Sequence, residues 1–285
     1  MSELITAAFV QQYKGNIHIA YQQAASKLRE AVNIEPQQGE FAYVDILSAT
    51  TAQPYSGRAS DTTYVDSIHT RRQRALQDYV WSDLIDMSDR VRTLIQPDSA
   101  YVTNCAMAFG RRTDETIFTA FNASVKEGKT GSTTTAFDTS NYQIAHGSAG
   151  LTLAKIISAS KTLNLGDVPM DDRYFAIDPA GLEDLLADST ITSADYNTLR
   201  MLQSGTFQGV FMGFKWIVST LVPKSGSTYS GFAWHKRSMS LGIGKDLNVK
   251  VTELPTKNFN TQVWASMMLG AVRVEDAGVV EVQYQ

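Results

Sequence analysis

Two extended stretches separated by a polar loop, with arginine along them and no apolar face, constrain this chain more than any other feature. Phe41 to Leu47 is rich in aromatic and β-branched residues and reads as a strand. After loop composition from Gln53 to Thr63, a second extended stretch runs from Tyr64 to about Trp81 and carries Arg71, Arg72 and Arg74. Together they suggest a long two-stranded ribbon with a flexible tip. Such a ribbon is marginal alone in water, and its polar composition gives it nothing to bury. The expectation is therefore that it lies on another surface.

The charge pattern points the same way. Between Lys27 and Lys126 there is no lysine, yet there are nine arginines, among them Arg58, Arg71, Arg72, Arg74, Arg90 and Arg92. Arginine suits planar, bidentate pairing with carboxylates at interfaces. Asp83 and Asp86 flank Leu84-Ile85 and are expected to pair with Arg90, Arg92 or a neighbouring chain. The blander alternative is compositional bias on a solvated face. The candidate intersubunit residues are Arg58, Arg71, Arg72, Arg74, Asp83, Asp86, Arg90 and Arg92.

Around the ribbon the pattern alternates. Residues 3–32 place apolar side chains near a 3.6 period and read as helix, stopped by Pro36 and Gly39. Pro97 opens a long helix over 97–124, with apolar or small positions from Val102 to Phe121 and Gly110 in its middle. Residues 128–141 read as a polar loop. Helices are predicted over Leu151–Leu163, from Asp178-Pro179 through Leu186, and over Ser193–Leu202. Strands are predicted at Arg173–Ile177, within Phe207–Val222, from Leu247, at Gln262–Val274 and at Val279–Tyr284. The fold class is α+β with extended appendages.

No catalytic constellation emerges. Gly128-Lys129-Thr130 resembles the end of a phosphate loop, but Ala123 stands where the first glycine is needed. Gly242-Ile243-Gly244 lacks a third glycine. His18, His69, His146 and His235 fall in four separate segments without metal-ligand spacing. Cys105 sits in the apolar stripe of the long helix and reads as a small core residue. No cofactor or metal site is expected.

Composition limits the remaining classes. The 285 residues carry 25 basic and 29 acidic side chains, a net charge of −4. A protein that grips nucleic acid through a basic face is disfavoured. One cysteine cannot make an internal disulfide. The first residues lack the basic n-region of a secretory leader, and the most apolar stretch is broken by Gln208, two glycines and Lys215. No membrane partner is expected.

The order of these segments, with several local phrases, resembles the major capsid proteins of tailed bacteriophages, the Hong Kong 97 fold, and is closest to those of short-tailed phages. The phrases are Leu76–Asp86 running through Arg90-Val91-Arg92 into Tyr101–Arg111, Leu185–Asp188 with Thr192–Tyr196, and, most specifically, Thr261–Arg273 followed by Glu275. The resemblance implies an N-terminal arm at 1–39, an extended loop at 40–82, a peripheral domain from 83–127 and 246–285, and a mainly axial domain over 128–245. It implies pentamers and hexamers of this chain, an icosahedral shell around double-stranded DNA held without sequence specificity, and a portal protein at one vertex. It also implies assembly in the bacterial cytoplasm and residence in the virion. A decoration protein is compatible with it. Two departures qualify the match. The extended loop has no lysine, so no covalent cross-link through one is expected. The chain enters the arm almost at Met1, so a separate scaffolding protein is expected. A same-fold bacterial compartment shell and a soluble α+β enzyme are the alternatives.

Overall fold

The computed structural model describes residues 20–55, 57–58, 61–62, 64–85, 98–187 and 210–285. Within them the chain is α+β, and its strands form three sheets. The described residues fall into two compact units, one from within 20–26, 78–112 and 245–268, the other from within 27–77, 113–244 and 269–285.

The first sheet has the order β1-β13-β14-β4, with β1 at Asn33–Pro36, β4 at Gln77–Ile85, β13 at Met239–Leu254 and β14 at Asn260–Arg273. Among the described residues β1 is an edge strand, paired in parallel with β13. An edge is where a strand tolerates a proline such as Pro36, so this residue closes a strand rather than stopping a helix. Along β14, Thr261, Val263, Ala265, Met267 and Leu269 alternate on one buried face, the period-2 pattern legible in the sequence.

The second sheet carries the larger core. Its order is β7-β15-β12-β8-β10-β9, with β11 (Lys224–Ser225) paired to β12. The strands are β7 (Gln143–Ile144), β8 (Arg173–Ile177), β9 (Val210–Phe211), β10 (Phe214–Val218), β12 (Thr228–His235) and β15 (Val279–Tyr284). Helices α3 (Leu153–Leu165) and α4 (Pro179–Ala187) supply Ile156, Ala159, Leu163 and Leu185 to the same buried cluster as Phe175, Trp216 and Tyr284. Phe175 and Trp216 stack at 4.6 Å between ring centroids. Gly181 is required there, because a Cβ would stand 2.9 Å from the Tyr284 ring. Apolar burial on this scale dominates folding.

A second aromatic cluster joins the long helix α1 (Asp98–Asn122) to β12. Phe121 stacks on Phe232 at 4.7 Å and tilts against Trp234 at the same separation. The Trp234 indole N–H donates to the Ala31 carbonyl at 2.8 Å, meeting the need of a buried indole for a partner.

Three features depart from the sequence expectations. Residues 20–28 are not helical, and only Arg29–Ala31 forms a 3-10 turn, while residues 3–19 lie outside the described residues. The amides of Lys27 and Leu28 donate instead to the buried Asp114 carboxylate, at 3.0 and 3.1 Å. At Gly110 the backbone of Ala25 and Ser26 comes so close that a Cβ would stand 2.9 Å from the Ser26 nitrogen. The mid-helix glycine is thus the notch that admits this segment. Second, β3 (His69–Ala75) pairs with β2 (Phe41–Leu47), but β4 leaves the ribbon for the first sheet. Third, the polar stretch 128–141 contains β6 (Thr133–Thr135) and the start of a short helix, α2 (Thr139–Tyr142), capped by Asp138. The helix predicted at Ser193–Leu202 lies outside the described residues.

Candidate functional site

The ribbon is not a free hairpin. β2 and β3 continue into β5 (Val125–Glu127) and β6, giving the order β2-β3-β5-β6. Strand alternation separates the three arginines of β3. Arg71 and Gln73 occupy one face, and Arg72 and Arg74 the other.

Arg71 lies on the open face opposite Asp45. Its Nε and Nη2 donate to the Asp45 carboxylate at 2.7 and 3.2 Å, and its guanidinium sits 5.3 Å from the Tyr43 ring centroid. Both partners of this ion pair are well exposed, so the contact adds little stability and leaves the surface available.

Arg72 is buried. Its Nε donates to Glu127 at 2.8 Å, its Nη1 and Nη2 to Asp276 at 3.0 and 2.8 Å, and its Nη1 also to the Arg273 carbonyl at 3.1 Å. Burial alone would lower the pKa of this guanidinium, but the hydrogen bonds and charges of Asp276 and Glu127 raise it. Burial likewise pushes the Asp276 carboxyl up, and the hydrogen bonds and charges of Arg72 and Arg273 more than reverse this and hold it below the ordinary carboxylate value. Arg273 is fully buried. It pairs with Asp276, donates to the carbonyls of Phe121 and Ala123 at 2.6 and 3.0 Å, and lies 4.8 Å from the Phe137 ring centroid. The network therefore ties β3 and β5 to the β14–β15 turn and to the end of α1.

Arg74 is equally buried. It donates to Gln37 at 2.8 Å, to Glu35 at 3.0 Å and to the Ser240 hydroxyl. Gly242 leaves the room this guanidinium occupies. Nearby, the absent side chain of Gly270 lets the Ala75 carbonyl cross β14.

All three β3 arginines are candidates for intersubunit contact on the sequence, which shows no acceptor for the ribbon. The structure supplies one inside the chain, and Arg72 and Arg74 are satisfied there. Arg58 is exposed, and Asp83 is half-buried on β4, where its carboxylate accepts from the Leu84 amide at 2.8 Å. Asp86, Arg90 and Arg92 lie outside the described residues. Glu35, Gln37, Glu127, Asp276 and Arg273 went unnoticed. Only one signal could have helped: the i, i+2 spacing of Arg72 and Arg74 marks a shared face distinct from that of Arg71.

Among the described residues no cluster of three His, Cys, Asp or Glu could hold a metal ion, and no helix is long and apolar enough to cross a membrane. Burial raises the Cys105 thiol pKa to about 11, which keeps it protonated and unreactive near neutrality.

The same fold occurs in solved structures. A chain from Mycobacterium phage Che8 superposes with a TM-score of 0.74 at 18% identity, covering 96% of this chain and 97% of that one. The capsid of cyanophage P-SCSP1u gives 0.73 at 17%, covering 99% and 94%. The capsid of a native GTA particle gives 0.72 at 13%, covering 100% and 99%. No curated protein matches in sequence. The α+β fold expected from the resemblance is thus the one present. The sequence itself matches the family described as Phage capsid protein over residues 5–285. With that span essentially complete, the chain belongs to the phage capsid protein family and is a self-assembling shell component of a virion.

Proposed function

We propose that this capsid protein forms the icosahedral shell of a tailed phage from pentamers and hexamers of itself, around a double-stranded DNA genome held without sequence specificity. The single observation that carries this reading is the family match through residues 5–285. The ribbon supports it. Anchored at its base by Arg72 and Arg74, it presents exposed Leu47 at the end of β2 and exposed Tyr55, Tyr64, Val65 and Ile68 beyond the sheet. Large apolar side chains left bare in this way mark surfaces that bury on association.

In this reading residues 1–39 are the arm, 40–82 the loop laid on a neighbour, 83–127 and 246–285 the peripheral part, and 128–245 mainly the axial part. The closing strand β15 reaches into the axial sheet. Arg58, Arg71 and Asp83 are the intersubunit contacts among the described residues. A separate scaffolding protein directs assembly in the host cytoplasm, a portal protein occupies one vertex, and a decoration protein can bind outside. The role is structural, with no catalytic step. Many weak contacts per subunit suffice to hold such a shell, because avidity accumulates.

The test is negative-stain microscopy of the chain expressed alone and with a candidate scaffolding protein. Closed isometric shells or capsomer rings are expected. A folded monomer in both samples overturns the proposal.

A further inference from the structure

The β2-β3-β5-β6 sheet carries a feature that none of the anchoring contacts uses. A cleft of about 640 Å³ opens where the β5–β6 turn meets the start of β3, lined by Asp45, His69, Arg71, Glu127, Gly128 and Lys129. Its two carboxylates are already neutralised, Asp45 by Arg71 at 2.7 Å and Glu127 by Arg72 at 2.8 Å. The side chains of Lys129 and His69, both exposed, have no hydrogen-bond or ion partner among the described residues. Gly128, at φ +90°, donates its amide to the Arg71 carbonyl at 3.2 Å and so fixes the turn that holds Lys129 at the rim.

The charges lining the cleft are Arg71 and Lys129 against Asp45 and Glu127; with Asp45 held by Arg71 and Glu127 held from beneath by the buried Arg72, the Lys129 ammonium is the lining charge left unpaired among the described residues. The whole chain carries −4. Acidic copies repel one another unless their contacts set the few basic features against acidic ones. A recess on one copy that receives a group from the next is a heterologous contact, the kind that closes rings.

We propose that this cleft seats a carboxylate from a second copy of the chain, taken by the Lys129 ammonium with the His69 imidazole as a further donor. The inference rests on the proposed assembly into rings of copies. A nucleic-acid phosphate backbone is the poorer fit, because such a seat needs several basic groups in line, and two carboxylates line this one.

The test uses Lys129→Glu and Lys129→Gln in the full chain, produced beside the wild type under the conditions that yield particles. Particle yield is read by sedimentation and microscopy, and subunit folding by circular dichroism and melting temperature. Lys129→Glu is expected to melt like the wild type while its particle yield falls by about tenfold or more, with Lys129→Gln intermediate. Wild-type yield from Lys129→Glu overturns the inference, and so does an equal loss in both variants, which would make the effect one of shape. Normal particles that hold DNA less firmly would assign the cleft to phosphate and overturn it as well. A wild-type chain that forms no particles sinks the assembly reading, and this one with it. An unaffected Lys129→Glu beside normal wild-type particles sinks this inference alone.

Discussion

Arg72 and Asp276, 204 residues apart in the chain, meet as a bidentate pair, with Nη1 to Oδ1 at 3.0 Å and Nη2 to Oδ2 at 2.8 Å. Asp276 serves Arg273 as well, so one carboxylate on a tight turn holds two buried guanidinium groups. Replacing it by asparagine takes from Arg273 the carboxylate it pairs with and leaves Arg72 with Glu127 alone. Loss of one partner of a buried pair costs about 3–5 kcal/mol, and Asp276→Asn should lower the urea midpoint accordingly.

The same pair sets an acid dependence. Asp276 titrates below its ordinary value in the folded chain, so its contribution is fully present above the unfolded carboxylate pKa of about 4 and fades as pH falls through the folded value. Melting temperatures of wild type and Asp276→Asn should therefore differ most near neutrality and converge as the solution is acidified below about pH 4. A gap that persists unchanged to pH 2 would show that the charge is not the source.

Adjacent arginines on β3 should behave oppositely. Arg74→Glu places an anion beside Glu35 in a buried site and should cost about 3 kcal/mol or more. Arg71→Glu loses an exposed pair and should change subunit stability by about 1 kcal/mol or less, while reducing shell formation. Chemical denaturation of both variants, followed by sedimentation of assembly mixtures, separates the two roles.

Gly110→Ala tests the notch on α1. On helix propensity alone, alanine would stabilise by about 1 kcal/mol. The added Cβ would stand 2.9 Å from the Ser26 nitrogen and 3.0 Å from the Ala25 carbonyl carbon, both backbone atoms that cannot turn aside. We expect a lower melting temperature and faster proteolysis near residues 22–28. A higher melting temperature would refute the close approach.

Cys105 offers a probe of the helix itself. With its thiol buried and its pKa raised to about 11, it should resist a thiol-specific disulfide reagent at pH 8 in the folded chain. It should react fully once denatured. Rapid labelling of the native protein would place the thiol at the surface instead.

Elements whose signal is local were legible in the sequence. Phe41–Leu47, Arg173–Ile177 and Val279–Tyr284 stand where composition and alternation put them, and α1 lies within a residue or two of its expected ends. Long-range partnership was not legible. Nothing in Gln77–Ile85 announces that it joins β14 rather than the ribbon, since both are extended and only the partner differs. The apolar periodicity of residues 20–28 suggested a helix, yet Asp114 captures the amides that a helix would have used. The arginines were legible as carboxylate-pairing residues, but the partner of Arg72 inside the chain was not, because a carboxylate 204 residues away leaves no trace near it.

The absence of lysine from the ribbon also has a practical side. Every residue from 28 to 125 lacks a side-chain amine, while Lys126 and Lys129 follow at once on β5 and its turn. Acylating reagents used to attach dyes, polymers or antigens would spare β2, β3 and their tip. They would fall instead on sites such as Lys129, at the mouth of the cleft. Amine conjugation made before the subunits associate would thus obstruct that cleft, whereas the same chemistry on finished particles would leave it unlabelled if a neighbour already fills it.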